Sequence, residues 1–294
     1  MLQAILAQMK QQFKAAGLES PELDARLLVQ EVTKLKYEEL LLNNNRLMND
    51  FECNTLAKMA HRRLQREPVS RIVKKRCFWK SEFKISPETL DPRADSETLI
   101  ETVLKYTHKD PITILDLGTG TGCLLLSLLQ ELPQAMGIGV DISAEAIQTA
   151  QHNALNLHLC ARASFVTADW AAMVIDKPFN IVISNPPYIP DADIPGLEPE
   201  VSRYDPYRAL AGGRDGLDCY RTIIKGLPRF LAKQGKVFLE IGYDQAESVK
   251  GMLAGHGFNV LQVAQDLAGR NRCIVAEGAN LDPDNINRSK ERTI

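Results

Sequence analysis

The sequence is 294 residues long, more than one average domain yet too short for two large ones, so one sizeable domain with a smaller partner is expected. A formal charge of −2, with 45% hydrophobic and 24% charged residues, excludes disordered and collagen-like chains and supplies no basic excess pointing to nucleic acid. The six cysteines are scattered, without CxxC spacing or a histidine set to complete a zinc site, so they read as reduced thiols and no metal is expected.

At the start of the chain, Leu2, Ile5, Leu6, Met9 and Phe13 form one apolar stripe, and Gly17 follows where a helix would stop. A second helix is expected from Ser20 as N-cap and Pro21 as first helical residue, with Glu22 and Asp24 at the positive end and Leu27, Leu28 and Val32 behind them. A third runs from about Asn54 to Arg66, with Leu56, Met59 and Leu64 on one side, until Pro68 ends it. Between Phe78 and Glu97 the period shortens to two around Phe83-Lys84-Ile85, which suggests a short hairpin or connector. Ser96 to Tyr106 reads as a helix.

Seven strands are expected next: Ile112 to Asp116, Gly137 to Asp141, Ser164 to Thr167, Phe179 to Ser184, Lys236 to Ile241, Phe258 to Ala264 and Cys273 to Glu277. Helical or crossover segments separate the first five, which predicts a mostly parallel sheet. The short link from Asp266 to Asn271 makes the last two an antiparallel pair. The expected organisation is therefore a small helical domain at 1–76, a connector at 77–98, a seven-stranded α/β domain at 99–278 and a polar, fraying tail at 279–294. No run approaches the roughly 20 apolar residues that cross a bilayer, so the expected place is the cytoplasm, with no membrane partner.

Gly118-Thr119-Gly120-Thr121-Gly122 joins the first strand of the sheet to an apolar helix starting at Cys123. Alternate glycines let the backbone turn sharply and let a ligand approach where side chains would collide. Nicotinamide and flavin proteins use glycine-rich turns too, but their fingerprint wants glycine or alanine where Cys123 stands, and no GK[ST] follows for a triphosphate loop. GxGxG after an acidic strand end is the usual pattern of enzymes that bind S-adenosyl-L-methionine. Asp141, closing the second strand, is placed to accept both ribose hydroxyls, and Asp169 and Trp170, after the third, to supply the edge contact and stacking surface for adenine.

Asn185-Pro186-Pro187-Tyr188 follows the strand ending at Ser184, at the carboxyl edge where doubly wound sheets place their sites. An amide or aromatic amino nitrogen is a poor nucleophile, because its lone pair is delocalised into the adjoining sp2 system. Two acceptors must hold its N–H bonds so that the nitrogen faces an incoming methyl. The Asn185 side-chain oxygen and the Pro186 carbonyl supply them, two prolines stiffen the corner, and Tyr188 can lie against the flat group. The reaction expected is methyl transfer to such a nitrogen, with Asn185, Pro186 and Tyr188 carrying it and all four residues binding the substrate.

Together with these motifs, Arg66-Glu67-Pro68-Val69, Phe78-Trp79, Pro92-Arg93-x-Asp95-Ser96-Glu97, Ala209-Leu210, Gly216-Leu217-Asp218 and Asp266-Leu267-Ala268-Gly269-Arg270 resemble the release-factor glutamine methyltransferases, the PrmC or HemK family, over nearly the whole chain. The resemblance implies a Rossmann-like methyltransferase sheet behind an all-helical N-terminal domain that grips the release factor. It implies that Gly118 to Gly122, Asp141, Trp170 and Asn185 hold the cofactor, and that Asn185 to Tyr188 hold the glutamine of the Gly-Gly-Gln motif in class I peptide chain release factors. A monomer is expected, and nucleic acid is not expected as substrate. The chain departs from the family at Arg71, Lys74, Asp91 and Ala94, all in the connecting region.

Ile189 to Gly213, with four prolines after Ile189 and little periodicity, reads as a long lid that orders over a bound substrate segment. Two enzyme alternatives share the tetrapeptide chemistry: an adenine-amino methyltransferase of DNA or RNA, served by the basic cluster from Arg62 to Arg76, and a ribosomal-protein glutamine methyltransferase. A non-catalytic binder on the same scaffold has no use for the intact tetrapeptide.

Overall fold

The computed structural model describes residues 1–43, 45–107 and 111–278. The tail expected from 279 to 294 lies outside the described residues. Two compact units form: Met1–Lys75 joined by Leu197–Tyr204, and Arg76–Gly196, which resumes at Asp205.

The first unit is helical. Helix α1 (Leu2–Ala15) is followed by Gly17 at φ 70°, and α2 (Pro21–Thr33) opens with Pro21 after Ser20, although the Ser20 side chain makes no capping bond. Helix α4 (Asp50–Leu64) starts earlier than the expected Asn54, because Asn49 and Glu52 form a reciprocal cap: Glu52 N–H donates to Asn49 Oδ1 at 2.9 Å and Asn49 N–H to Glu52 Oε2 at 3.0 Å. Two helices were not expected, α3 (Tyr37–Leu42) and α5 (Val69–Val73); both are too short to show a helical period. Phe13, Leu28, Val29, Leu56 and Ile72 close the core.

The segment Leu197–Tyr204 comes from the expected lid, and it is structured. Pro199 starts a single helical turn, α9 (Pro199–Ser202), and Glu200 on it meets Arg63 at 3.0 Å. Arg63, buried, also donates to Asp24 at 2.7 Å, while Arg66 reaches Glu198 at 3.0 Å and Glu200 at 2.8 Å. The Tyr204 hydroxyl donates to the Gln65 carbonyl at 2.9 Å.

In the second unit, β1 (Lys75–Phe78) and β2 (Ser81–Lys84) make the expected hairpin, turned at Trp79 with φ 54°. Asn153 holds it to the larger sheet by donating to the carbonyls of Lys84 at 3.0 Å and Thr121 at 2.9 Å. All seven expected strands form: β3 (Thr113–Leu117), β4 (Met136–Asp141), β5 (Ala163–Thr167), β6 (Phe179–Ser184), β7 (Leu231–Glu240), β8 (Phe258–Gln265) and β9 (Asn271–Gly278). Their order is β5-β4-β3-β6-β7-β9-β8. Strand β9 pairs antiparallel with β8, as the short Asp266 to Asn271 link requires, and slots between β8 and β7, antiparallel to both.

Alternation along β3 sends Ile114 into one core and Leu115 and Leu117 into the other, as expected of a sheet covered on both faces. Helices α6 (Glu97–Tyr106), α7 (Cys123–Glu131) and α8 (Ala144–Asn156) precede or follow the first strands, and α10 (Asp218–Phe230) and α11 (Ala246–Gly255) flank β7. In register, Leu117 faces Val140 on one side and Ser184 on the other. The carboxyl ends of β3, β4 and β6 therefore stand together, at the point where the strand order reverses.

Candidate active site

The turn after β3 is built on backbone bonds and one buried carboxylate. Gly118 and Thr119 both donate to the Val140 carbonyl, at 2.8 and 2.9 Å. Thr119 Oγ1 donates to Asp116 Oδ2 at 2.7 Å, and Asp116 is fully buried with Oδ1 lacking a partner. Burial, opposed by the Thr119 bond and reinforced by the nearby charge of Asp141, pushes the Asp116 carboxyl up to about 7. Gly118 has φ +75°, and a Cβ there would meet the Trp170 ring at 3.1 Å; one at Gly120, φ +55°, would meet nothing within 4 Å. Trp170 thus lies across the turn, whose middle stays open.

Asp141 closes the turn from β4. Its Oδ2 accepts the Gly120 N–H at 2.9 Å and its Oδ1 the Ser143 N–H at 3.0 Å. Each oxygen keeps a further lone pair. Asp169 accepts the Ala171 N–H on Oδ1 at 2.8 Å, an Asx turn that presents Trp170.

These groups line one cavity of about 360 Å³. Gly118, Thr119, Gly120, Thr121, Asp141, Asp169, Trp170 and Asn185 all face it, joined by Pro187. Of the expected residues, Gly122, Pro186 and Tyr188 do not line it. Gly122 instead precedes α7 at φ 77°, packed against Ala150, Leu126 and Phe165. The cavity also takes Leu90, Pro92, Arg93 and Ser96 from before α6, and Arg208 and Ala209 from the end of the lid region. None of these was expected to bind. The first three fall in a stretch without helical or strand period, read only as a connector, and Ser96 was read as the start of a helix, although Pro92 to Glu97 carried part of the family resemblance.

The corner after β6 is braced from behind. The Tyr188 hydroxyl lies 3.4 Å from Glu240 Oε1 and 3.5 Å from Arg272 Nη1, and its carbonyl accepts Gln245 Nε2 at 2.8 Å. Arg272 also meets Asp95 at 3.1 Å and Asp266 at 3.2 Å. Tyr188 was expected to lie against the substrate; the contacts it makes are those of an anchor for the corner. Glu240, buried, is pushed up to about 7 by burial, against the lowering influence of Ser96, Arg272 and Tyr188. Asn185 Nδ2 donates to Ser96 Oγ at 3.1 Å.

The lid region is tied at its base, where Ile189 N–H donates to the Leu210 carbonyl at 3.0 Å and Gly212 N–H to that of Ile189 at 2.8 Å. Arg93 pairs with the buried Asp205 at its far end. Among the described residues no cluster of His, Cys, Asp and Glu could hold a metal ion, and no helix is long and apolar enough to cross a membrane.

A "Release factor glutamine methyltransferase" of Rhodospirillum rubrum is 46% identical to the chain over 263 residues, spanning 90% of it and 81% of that protein. The chain belongs to the release factor glutamine methyltransferase family. Another member, from Agrobacterium fabrum, is 40% identical over 90% of the chain and 93% of its own length. The family model for the PrmC N-terminal domain matches residues 4–73, within the helical unit, and that for the methyltransferase small domain matches 86–195, from the hairpin's exit to the lid region. A methyltransferase of Pyrococcus furiosus shares the fold at a TM-score of 0.50 and 15% identity, covering 67% of this chain and 89% of that one.

Proposed function

We propose that this chain transfers a methyl group from S-adenosyl-L-methionine to the side-chain amide nitrogen of the glutamine in the Gly-Gly-Gln motif of class I peptide chain release factors. The observation that carries the reading is that Asn185 and the glycine turn face one cavity, in a chain 46% identical to a release factor glutamine methyltransferase.

The residues fit the cofactor. Its methyl is bound to a positively charged sulfur, which makes the carbon electrophilic and the departing thioether neutral. Gly120 keeps its Cα side open to close approach, Asp141 retains lone pairs for two hydroxyls, and the Trp170 ring offers an apolar face for adenine. Gly118, Thr119, Thr121, Asp169 and Asn185 complete the walls, and Gly122 supplies the left-handed entry to α7.

At the reacting end, the chain's work is orientation. Asn185 Oδ1 accepts one N–H of the substrate amide and the Pro186 carbonyl the other, which turns the nitrogen toward the cavity. Prolines at 186 and 187 fix that carbonyl's direction, and Tyr188 holds the corner through Glu240 and Arg272. No side chain is assigned as a strong base, since the nitrogen acidifies as its lone pair is used and water can take the proton.

In this reading residues 1–76 dock the release factor, 77–98 connect, and 99–278 perform the transfer, by a monomer in the cytoplasm. Labelled S-adenosyl-L-methionine supplied with a release factor, its Gly-Gly-Gln glutamine-to-alanine variant, a ribosomal protein fraction and DNA tests it. Label on the release factor that vanishes with the alanine variant supports the assignment. Label on DNA or the ribosomal proteins, with none on the release factor, overturns it.

A further inference from the structure

Asparagine's amide presents an acceptor on one side and two donors on the other, in nearly the same shape. A substrate N–H needs the oxygen. If the side chain were turned over, NH2 would face N–H, two donors against each other.

The structure has a device that decides between the two. Ser96 stands at the entry to α6, 3% exposed, with Oγ 3.1 Å from Asn185 Nδ2. Near it lies the buried Glu240 carboxyl, whose Oε2 has no hydrogen-bond partner and so is open to a donor, and whose upward shift the neighbouring Ser96 hydroxyl opposes. A serine hydroxyl has one proton and two lone pairs. When Glu240 is ionised, its carboxylate competes for that proton better than a neutral amide oxygen, because a charge-assisted bond is the stronger. With the proton directed to Glu240, Ser96 can meet Asn185 only as an acceptor, so Nδ2 must face Ser96.

We propose that Ser96 is a positioning residue for the transfer: its hydroxyl donates to Glu240 and accepts from Asn185 Nδ2, leaving Asn185 Oδ1 as the atom presented to the substrate amide. This rests on the role given to Asn185 above. Arg272, tied to Asp95 and Asp266, also meets the Tyr188 hydroxyl, which in turn lies against Glu240.

The test compares Ser96→Thr with Ser96→Val in the full-length protein; both add the same bulk and differ only in the hydroxyl. Ser96→Ala, which adds none, is measured beside them. The readouts are kcat and KM for the release factor, cofactor affinity by calorimetry, and hydrogen exchange of the Asn185 side-chain amide by NMR in the cofactor-bound protein, assigned with Asn185→Asp. Leaving the buried donor unpaired is expected to lower kcat about ten- to hundredfold in the valine and alanine variants, with threonine within about threefold of the parent. Cofactor affinity stays within a few fold throughout, and the slowly exchanging Asn185 amide protons become fast in the valine variant. Equal kcat in the threonine and valine variants, or unchanged exchange in the valine variant, overturns the proposal. If the parent protein does not label the release factor, the proposed function fails, and the exchange measurement still decides the orientation of Asn185.

Discussion

The Asp141 carboxylate accepts the backbone N–H of Gly120 at 2.9 Å, across 21 residues of chain. Two adjacent strand ends are thereby joined at the point where the cofactor's ribose is expected, so one side chain both shapes the turn and offers acceptors to the ligand. Asp141→Ala is expected to weaken S-adenosylhomocysteine binding about ten- to hundredfold, the loss of one or two charge-assisted bonds. Asp141→Asn, which keeps one oxygen, should lose less. Calorimetric titration checks both, and alanine-variant affinity within twofold of the parent would remove Asp141 from the binding site.

Asn185→Ala should separate binding from chemistry. The cofactor keeps the glycine turn, Asp141 and Trp170, so its affinity should change by no more than a few fold. Transfer should fall on the order of a thousandfold, because an orienting acceptor is gone. Single-turnover labelling of the release factor gives the rate, and turnover equal to the parent's would rule out the assigned role.

Asp116 makes stability depend on pH. Its carboxyl is raised to about 7 in the folded chain by burial, above its ordinary value near 3.8, so over that interval the unfolded chain ionises while the folded one stays protonated. The folded state then holds more protons than the unfolded one. Stability is expected to fall as pH rises from about 4 to about 7, and to stay lowered above that. Asp116→Asn keeps an acceptor for Thr119 without the ionisation, so its stability relative to the parent should climb across the same interval. Urea titrations of both proteins at several pH values measure the difference; a difference independent of pH would contradict the account.

Arg63 is the shared cation of Asp24 and Glu200, both largely shielded from solvent. Removing one member of a buried ion pair leaves the others uncompensated and typically costs about 3 kcal/mol or more. Arg63→Ala is expected to destabilise the helical unit by about that amount and to open the Leu197–Tyr204 segment to limited proteolysis. A variant that unfolds at the parent's urea midpoint, with the segment still protected, would show the pairing to be energetically idle.

Much of the fold was legible because its strands are short, apolar and bounded by turn residues. Phe179–Ser184 forms at both expected ends, and the antiparallel β8–β9 pair follows from the brevity of its link. The insertion of β9 beside β7 was not legible, since no local pattern says which edge a hairpin will join. Within the site, the glycine turn, Asp141, Asp169, Trp170 and Asn185 could be read off because each stands at a strand's end. The bracing group could not. Ser96, Glu240 and Arg272 are far apart in sequence, and a polar residue at a strand end or helix entry is unremarkable until folding brings it against another. Pro92 to Glu97 and Asp266 to Arg270 stood out only by resemblance; their physical reason is that Asp95 and Asp266 grip the same arginine.

Because β9 lies between β7 and β8 and carries Arg272, the sheet cannot be finished in the order in which it is made. A nascent chain on the ribosome that has extruded the glycine turn, the proline corner and even Glu240 still lacks the arginine that meets the Tyr188 hydroxyl and Asp95. The corner's last brace thus arrives late in the chain's own translation, on a strand that does not line the cavity.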